Sequence, residues 1–101
     1  MKILISDSAF NDLKAIKEYY ADEGVPQIGD EFIVHIIAHI ETLIDNPEIG
    51  RMVPEFDEKN IRELIHSPFR IVYLKEEKNI HVIRVWRSER LLNLEDTPAK
   101  I

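Results

Sequence analysis

From Ile61 to Arg87 three β-type runs follow one another almost without interruption. They read Ile61–His66, Phe69–Lys75 and Asn79–Arg87, parted by Ser67-Pro68 and by the charged stretch Glu76-Glu77-Lys78. Short alternating runs bounded by turn residues mark strands. Connections this short join antiparallel neighbours, because a parallel return needs a crossover of a dozen residues or more. The back half of the chain is therefore expected to form a three-stranded antiparallel sheet, and the front half must supply what packs on it.

The front half has a different period. Lys2–Ser6 reads as a short strand, and Ser6, Asp7 or Ser8 is placed to cap a helix by accepting an orphan backbone N–H bond. Phe10, Leu13, Ile16 and Tyr20 then recur at helical spacing, and Gly24 and Pro26 stop that helix. A second helix is expected from about Gly29 or Asp30 to Asn46, with Phe32, Ile33, Ile36, Ile37, Ile40, Leu43 and Ile44 forming a face wider than a one-sided surface helix needs. Residues 47–60 read as loop. The predicted order is β-α-α-β-β-β, an α+β fold with the two helices as an antiparallel hairpin. One domain spans residues 1–92, and residues 93–101 form a C-terminal tail.

Arginine is unevenly placed. Arg51, Arg62, Arg70, Arg84, Arg87 and Arg90 all lie in the back half and none in the first fifty residues. The guanidinium fork stays charged and matches carboxylate and phosphate, so this concentration looks like a surface built for something anionic. The net charge of −6 argues against broad nucleic-acid binding. The acidity belongs to the front half, where three lysines face ten acids, while ten basic residues face nine acids in the back half. The chain has no cysteine, which excludes disulfides and zinc-thiolate sites. No apolar run approaches the roughly 20 residues of a membrane span, and the amino terminus turns polar too early for a signal peptide. A soluble cytoplasmic protein without cofactor or metal is expected.

Strict alternation puts Phe69, Ile71, Tyr73, Ile80, Val82, Arg84 and Trp86 on one face, and Arg70, Val72, Leu74, His81, Ile83, Val85 and Arg87 on the other. A turn at Glu76-Glu77 sets Tyr73 opposite Ile80 and Arg70 opposite Ile83. A helix hairpin covers one face only. The second, also largely apolar, is expected to await another molecule.

The landmarks Asn46-Pro47-Glu48-Ile49-Gly50-Arg51, Val53-Pro54, Ile61-Arg62-Glu63-Leu64, Pro68-Phe69-Arg70-Ile71-Val72-Tyr73 and Ile83-Arg84-Val85-Trp86-Arg87 follow in an order and spacing that resembles the RelE/ParE superfamily of toxins from type II toxin–antitoxin modules. The ParE, or plasmid stabilisation, branch is the nearer likeness, over about residues 2–92. The resemblance implies a RelE-like fold and a toxin silenced by a cognate antitoxin, ParD-like with a ribbon-helix-helix amino terminus. Operator DNA would be met only through that antitoxin. RelE-type relatives cut ribosome-bound messenger RNA without a metal, whereas ParE-type relatives poison DNA gyrase.

Residue by residue, the ribonuclease pattern is incomplete. Arg70 stands where RelE-type enzymes keep a catalytic arginine, but Ile61 and Glu63 replace lysines, the late tyrosine falls near Leu94, and an expected arginine falls on Ser88. RNA cleavage must offset phosphate charge and move a proton, and these departures weaken both. The resemblance thus implies a gyrase poison that acts by binding and is not an enzyme. The rivals are a metal-independent endoribonuclease using Arg70 with His66, and a non-toxic relative that only binds its antitoxin. Arg70, Arg84, Trp86, Arg87 and Arg90, with the tail from Leu91, are the expected target-binding surface. Val72, Leu74, Ile83 and Val85 are the expected antitoxin-binding patch.

Plainer readings stand beside these. Arg70 is also placed to pair with Glu63, Arg62 to bridge to the 47–58 loop, and Trp86 to pack in a core or groove. His35 and His39 share a helix stripe that reads as solvated rather than metal-binding. His66 reads first as a turn residue without chemistry.

Overall fold

The computed structural model describes residues 1–56 and 58–87. Its elements are β1 (Lys2–Ile5), α1 (Asp7–Asp22), α2 (Pro26–Glu41), a 3-10 turn (Thr42–Ile44), β2 (Arg51–Met52), β3 (Ile61–His66), β4 (Phe69–Lys75) and β5 (Asn79–Arg87). The architecture is α+β, with a helix hairpin on one face of a mixed sheet.

Ser6 caps α1. Its side chain accepts from the Ala9 backbone N–H at 3.0 Å, as a short hydroxyl at the N-cap does. The helix ends at Gly24, whose φ of 82° is the left-handed conformation that glycine adopts without a side-chain penalty. α2 starts earlier than expected. Pro26, read from the sequence as a stop, occupies the first helical position, where a missing N–H costs nothing. It also ends earlier, at Glu41, and the last turn tightens into the 3-10 segment.

The sheet has five strands in the order β1-β5-β4-β3-β2, where three had been expected. β1 lies parallel to β5, pairing Ile3 with Ile80 and Ile5 with Val82. β2 is a two-residue strand against β3, too short to carry a periodic signal. Ala9, Leu13 and Ile16 of α1, Ile36 and Ile40 of α2 and Leu43 meet Leu64, Phe69, Ile71, Tyr73, Ile80, Val82 and Val85 in one buried cluster. Phe10, assigned from the sequence to the inner stripe, is exposed.

The β4–β5 register corrects the expected one. Lys75 pairs with Ile80 and Tyr73 with Val82, then a bulge leaves Ile83 without a partner on β4, and Val72 pairs with Arg84, Arg70 with Trp86 and Phe69 with Arg87. The extra residue reverses the alternation beyond it. Val85 and Arg87 therefore lie on the helix side, and Arg84 and Trp86 on the other. Each of these four had been assigned to the opposite face.

The second face is not bare. Val53 and Val72 are fully buried although they stand outside the helix-side cluster. The segment after β2 sends Glu55 to Arg70 on this face. Cover of the sheet by the chain's own loop was not foreseen.

Candidate functional site

Arginine chemistry divides into two places. The first is the second face of the sheet, where Glu63 of β3 and Arg70 of β4 are neighbours through the β3–β4 pairing. Arg70 Nε donates to Glu63 Oε1 at 2.7 Å, and its Nη1 and Nη2 donate to the two Glu55 oxygens at 2.9 and 2.8 Å. Arg51 Nε donates to the other Glu63 oxygen at 2.7 Å. Glu63 and Arg70 are buried, at 1% and 3% exposure. The Arg70 hydrogen bonds hold the Glu55 carboxyl below its ordinary value, and the same bonds from Glu55 push Arg70 further up. The network Arg51–Glu63–Arg70–Glu55 satisfies its own charges, as buried charges must.

Arg62 behaves as its plainer reading expected. It donates to the Gly50 carbonyl at 2.9 Å and fastens the 47–50 loop. Tyr73 holds that loop from inside: its hydroxyl accepts from the Gly50 N–H and donates to the Pro47 carbonyl, both at 3.0 Å. Burial raises the Tyr73 pKa.

The second place is the far end of β5. β1 leaves the sheet at Ile5, because Ser6 turns the chain into α1, and Ser6 makes the last contacts, with the Val82 and Ile83 carbonyls. β5 continues to Arg87 with no strand beside it on that edge among the described residues. Asp12 of α1 fills part of the gap: its carboxylate accepts from the Val85 backbone N–H at 2.8 Å and from Arg84 at 2.8 and 3.0 Å. That carboxylate pushes the Arg84 pKa up.

A groove of about 480 Å³ runs along this edge, lined by Asp12, Ala15, Ile16, Tyr19, Phe69, Arg84, Val85, Trp86 and Arg87. The Arg87 guanidinium stands 5.6 Å from the Tyr19 ring and 5.4 Å from Phe69. Those of Arg84 and Arg70 each stand 5.3 Å from Trp86. These are cation–π distances. The groove combines aromatic surface, two partly exposed guanidinium groups and a strand edge, a combination suited to an apolar segment bearing carboxylates.

The expected target-binding residues are thus only partly assembled. Arg84, Trp86 and Arg87 meet at the groove. Arg70 touches Trp86, but its fork is occupied by carboxylates. Arg90 and the tail from Leu91 lie outside the described residues. In the expected antitoxin patch, Val72 is fully buried and Val85 belongs to the helix-side core, so neither offers surface; Leu74 and Ile83 are half-buried. Asp12 and Tyr19 were missed. They lie on a helix far away in sequence, and nothing local to either announces the meeting with β5.

His66, the expected alternative acid–base group, meets His39 of α2, with Nδ1 atoms 3.0 Å apart. Burial first, then His39 and His35, lower its pKa. No helix among the described residues is long and apolar enough to cross a membrane.

Comparison with known proteins agrees with this architecture. No curated protein matches the sequence. Among solved structures, one described as "Chromosomal ParDE TA system from P. aeruginosa" superposes with a TM-score of 0.73 at 22% identity, covering 86% of this chain and 95% of that one. At that identity the likeness establishes the fold. The family model described as "ParE toxin of type II toxin-antitoxin system, parDE" matches residues 3–92, nearly the whole chain, and the protein belongs to that ParE toxin family.

Proposed function

We propose that this ParE-family chain is silenced by a cognate antitoxin and, when free, poisons DNA gyrase by binding rather than by cleaving RNA. The observation that carries this reading is the state of Arg70. A ribonuclease needs a cation free to meet developing phosphate charge. All three guanidinium nitrogens of Arg70 are already held by Glu63 and Glu55, and Arg70 itself is buried. His66 is less readily protonated in this setting, since burial disfavours its charged form.

The groove along β5 is the surface left for recognition. Its rim of Arg84 and Arg87 favours a partner segment with carboxylates, and its Tyr19, Phe69 and Trp86 surface favours apolar anchors. An antitoxin segment seated here covers Trp86 and both arginines, which explains silencing by occlusion of the target-binding surface. This seat replaces the patch of Val72, Leu74, Ile83 and Val85.

Two assays with the purified chain decide the target. In a supercoiling assay with purified gyrase, inhibition is expected, and the double variant Arg84→Glu/Arg87→Glu should lose it while remaining folded. Mapping of messages under translation should show no cuts. Cuts at A-site codons with gyrase unaffected would reverse the assignment. Normal growth of cells making soluble, folded chain without an antitoxin would instead leave an inert, antitoxin-binding protein.

A further inference from the structure

We propose that His39 and His66 form a proton-operated latch: sharing one proton they tie α2 to the β3–β4 turn, and a second proton breaks the tie.

The geometry is specific. The two Nδ1 atoms lie 3.0 Å apart, within hydrogen-bond range only if one carries a hydrogen and the other a lone pair. The ring centroids are 5.2 Å apart, the separation of two imidazoles that meet nitrogen to nitrogen nearly in line. A metal ion bound at about 2.0–2.1 Å would require both lone pairs to converge at a point beside that line. Nor do the described residues contain a group of three or more metal-ligating side chains. A proton fits between the rings as they stand.

The surroundings make a second proton costly. From α2, His35 stands one turn before His39 and acts on His66 with the same sign. From β4, the neighbour across the turn is Phe69, and behind it β5 presents the Arg87 guanidinium, 5.4 Å from the Phe69 ring. No carboxylate among the described residues acts on His66. When both imidazoles are charged, two N–H donors face each other with no acceptor between them. The depressed affinity of His66 for a proton agrees with this.

The latch matters because of what it holds. Phe69 pairs with His66 across the hairpin, packs on Phe32 of α2 with ring centroids 5.2 Å apart, and lines the groove along β5. Opening the His39–His66 contact loosens the end of the hairpin that carries Phe69. The inference stands whether the groove takes an antitoxin, gyrase or neither.

Nitrogen-detected NMR of the full chain tests it directly. At pH near 7.5 the two rings should show opposite Nδ1 states, one protonated and one bare. As pH falls below the ordinary histidine value of 6.5, amide protection at residues 38–41 and 65–69 should drop more in the wild type than in His66→Asn. His39→Gln should flatten the profile in the same way. Identical Nδ1 states in the wild type would overturn the latch, and that measurement needs no variant to fold. Equal loss of protection in wild type and variants would overturn it too.

Discussion

Glu63 and Arg70 meet diagonally across adjacent strands, both shut away from solvent, with Nε and Oε1 2.7 Å apart. Removing one partner leaves the other a buried charge with only a partly exposed counter-ion, Arg51 for Glu63 or Glu55 for Arg70, and breaking a buried pair costs up to about 3–5 kcal/mol. Arg70→Met is therefore expected to lower the urea midpoint strongly, with Glu55 losing its anchor as well. The double variant Glu63→Leu/Arg70→Met should recover much of the loss. A double-mutant cycle by chemical denaturation measures this. One consequence is practical: loss of any activity in an Arg70 variant reports folding before it reports chemistry.

Acid should act on the same network. Arg70 depresses the Glu55 carboxyl below its ordinary 4.5, so the folded chain binds this proton less readily than the unfolded one. The contribution is fully present above pH 4.5 and is lost as pH falls through the lower, folded value. With Glu55 43% exposed, solvent screening keeps the effect small. Urea midpoints measured from pH 5 downwards should fall more steeply for wild type than for Glu55→Gln.

Gly50 is pinned by its neighbours. A methyl group there would lie 2.6 Å from the Tyr73 hydroxyl and 2.7 Å from the Glu63 carbonyl. Tyr73 is fully buried and cannot swing away. Gly50→Ala is expected to destabilise by about 1–3 kcal/mol, the usual cost of overpacking. Tyr73→Phe relieves the closest contact while losing two hydrogen bonds, so the pair should be less than additive. Thermal unfolding of the two singles and the double checks this.

Asp12→Ala should act locally. Arg84 is partly exposed, at 42%, so its ion pair with Asp12 is expected to contribute no more than about 1 kcal/mol. The larger change is at the Val85 N–H, which loses its acceptor. Hydrogen exchange at Val85 should accelerate well beyond the change in global stability, and the neighbouring edge of β5 should accelerate with it.

Much of this fold was readable because its punctuation is strong. Ser67-Pro68 and Glu76-Glu77-Lys78 bounded β3, β4 and β5 at the observed residues, and Ser6 announced the cap of α1. Pro26 misled because proline both stops one helix and starts the next. β2 escaped because two residues have no period. The bulge escaped for a subtler reason. Four of the six residues from Ile80 to Val85 are apolar, so shifting the alternation by one still leaves apolar residues on both faces. Pairing of Glu63 with Arg70 could be weighed because they belong to adjoining strands. Asp12 and Arg84 are 72 residues apart, and only the packing of α1 against β5 brings them together.

The unpaired Ile83 governs the chemistry of everything after it. Were Ile83 to pair with Val72, the strand's last four side chains would trade places, a guanidinium and an indole turning under the helices while a valine and another guanidinium turn outward. This stretch can therefore accept exchanges of one side chain for another far more readily than a slip of its pairing. New partners for this rim would have to be acquired by substitution, with the bulge left in place.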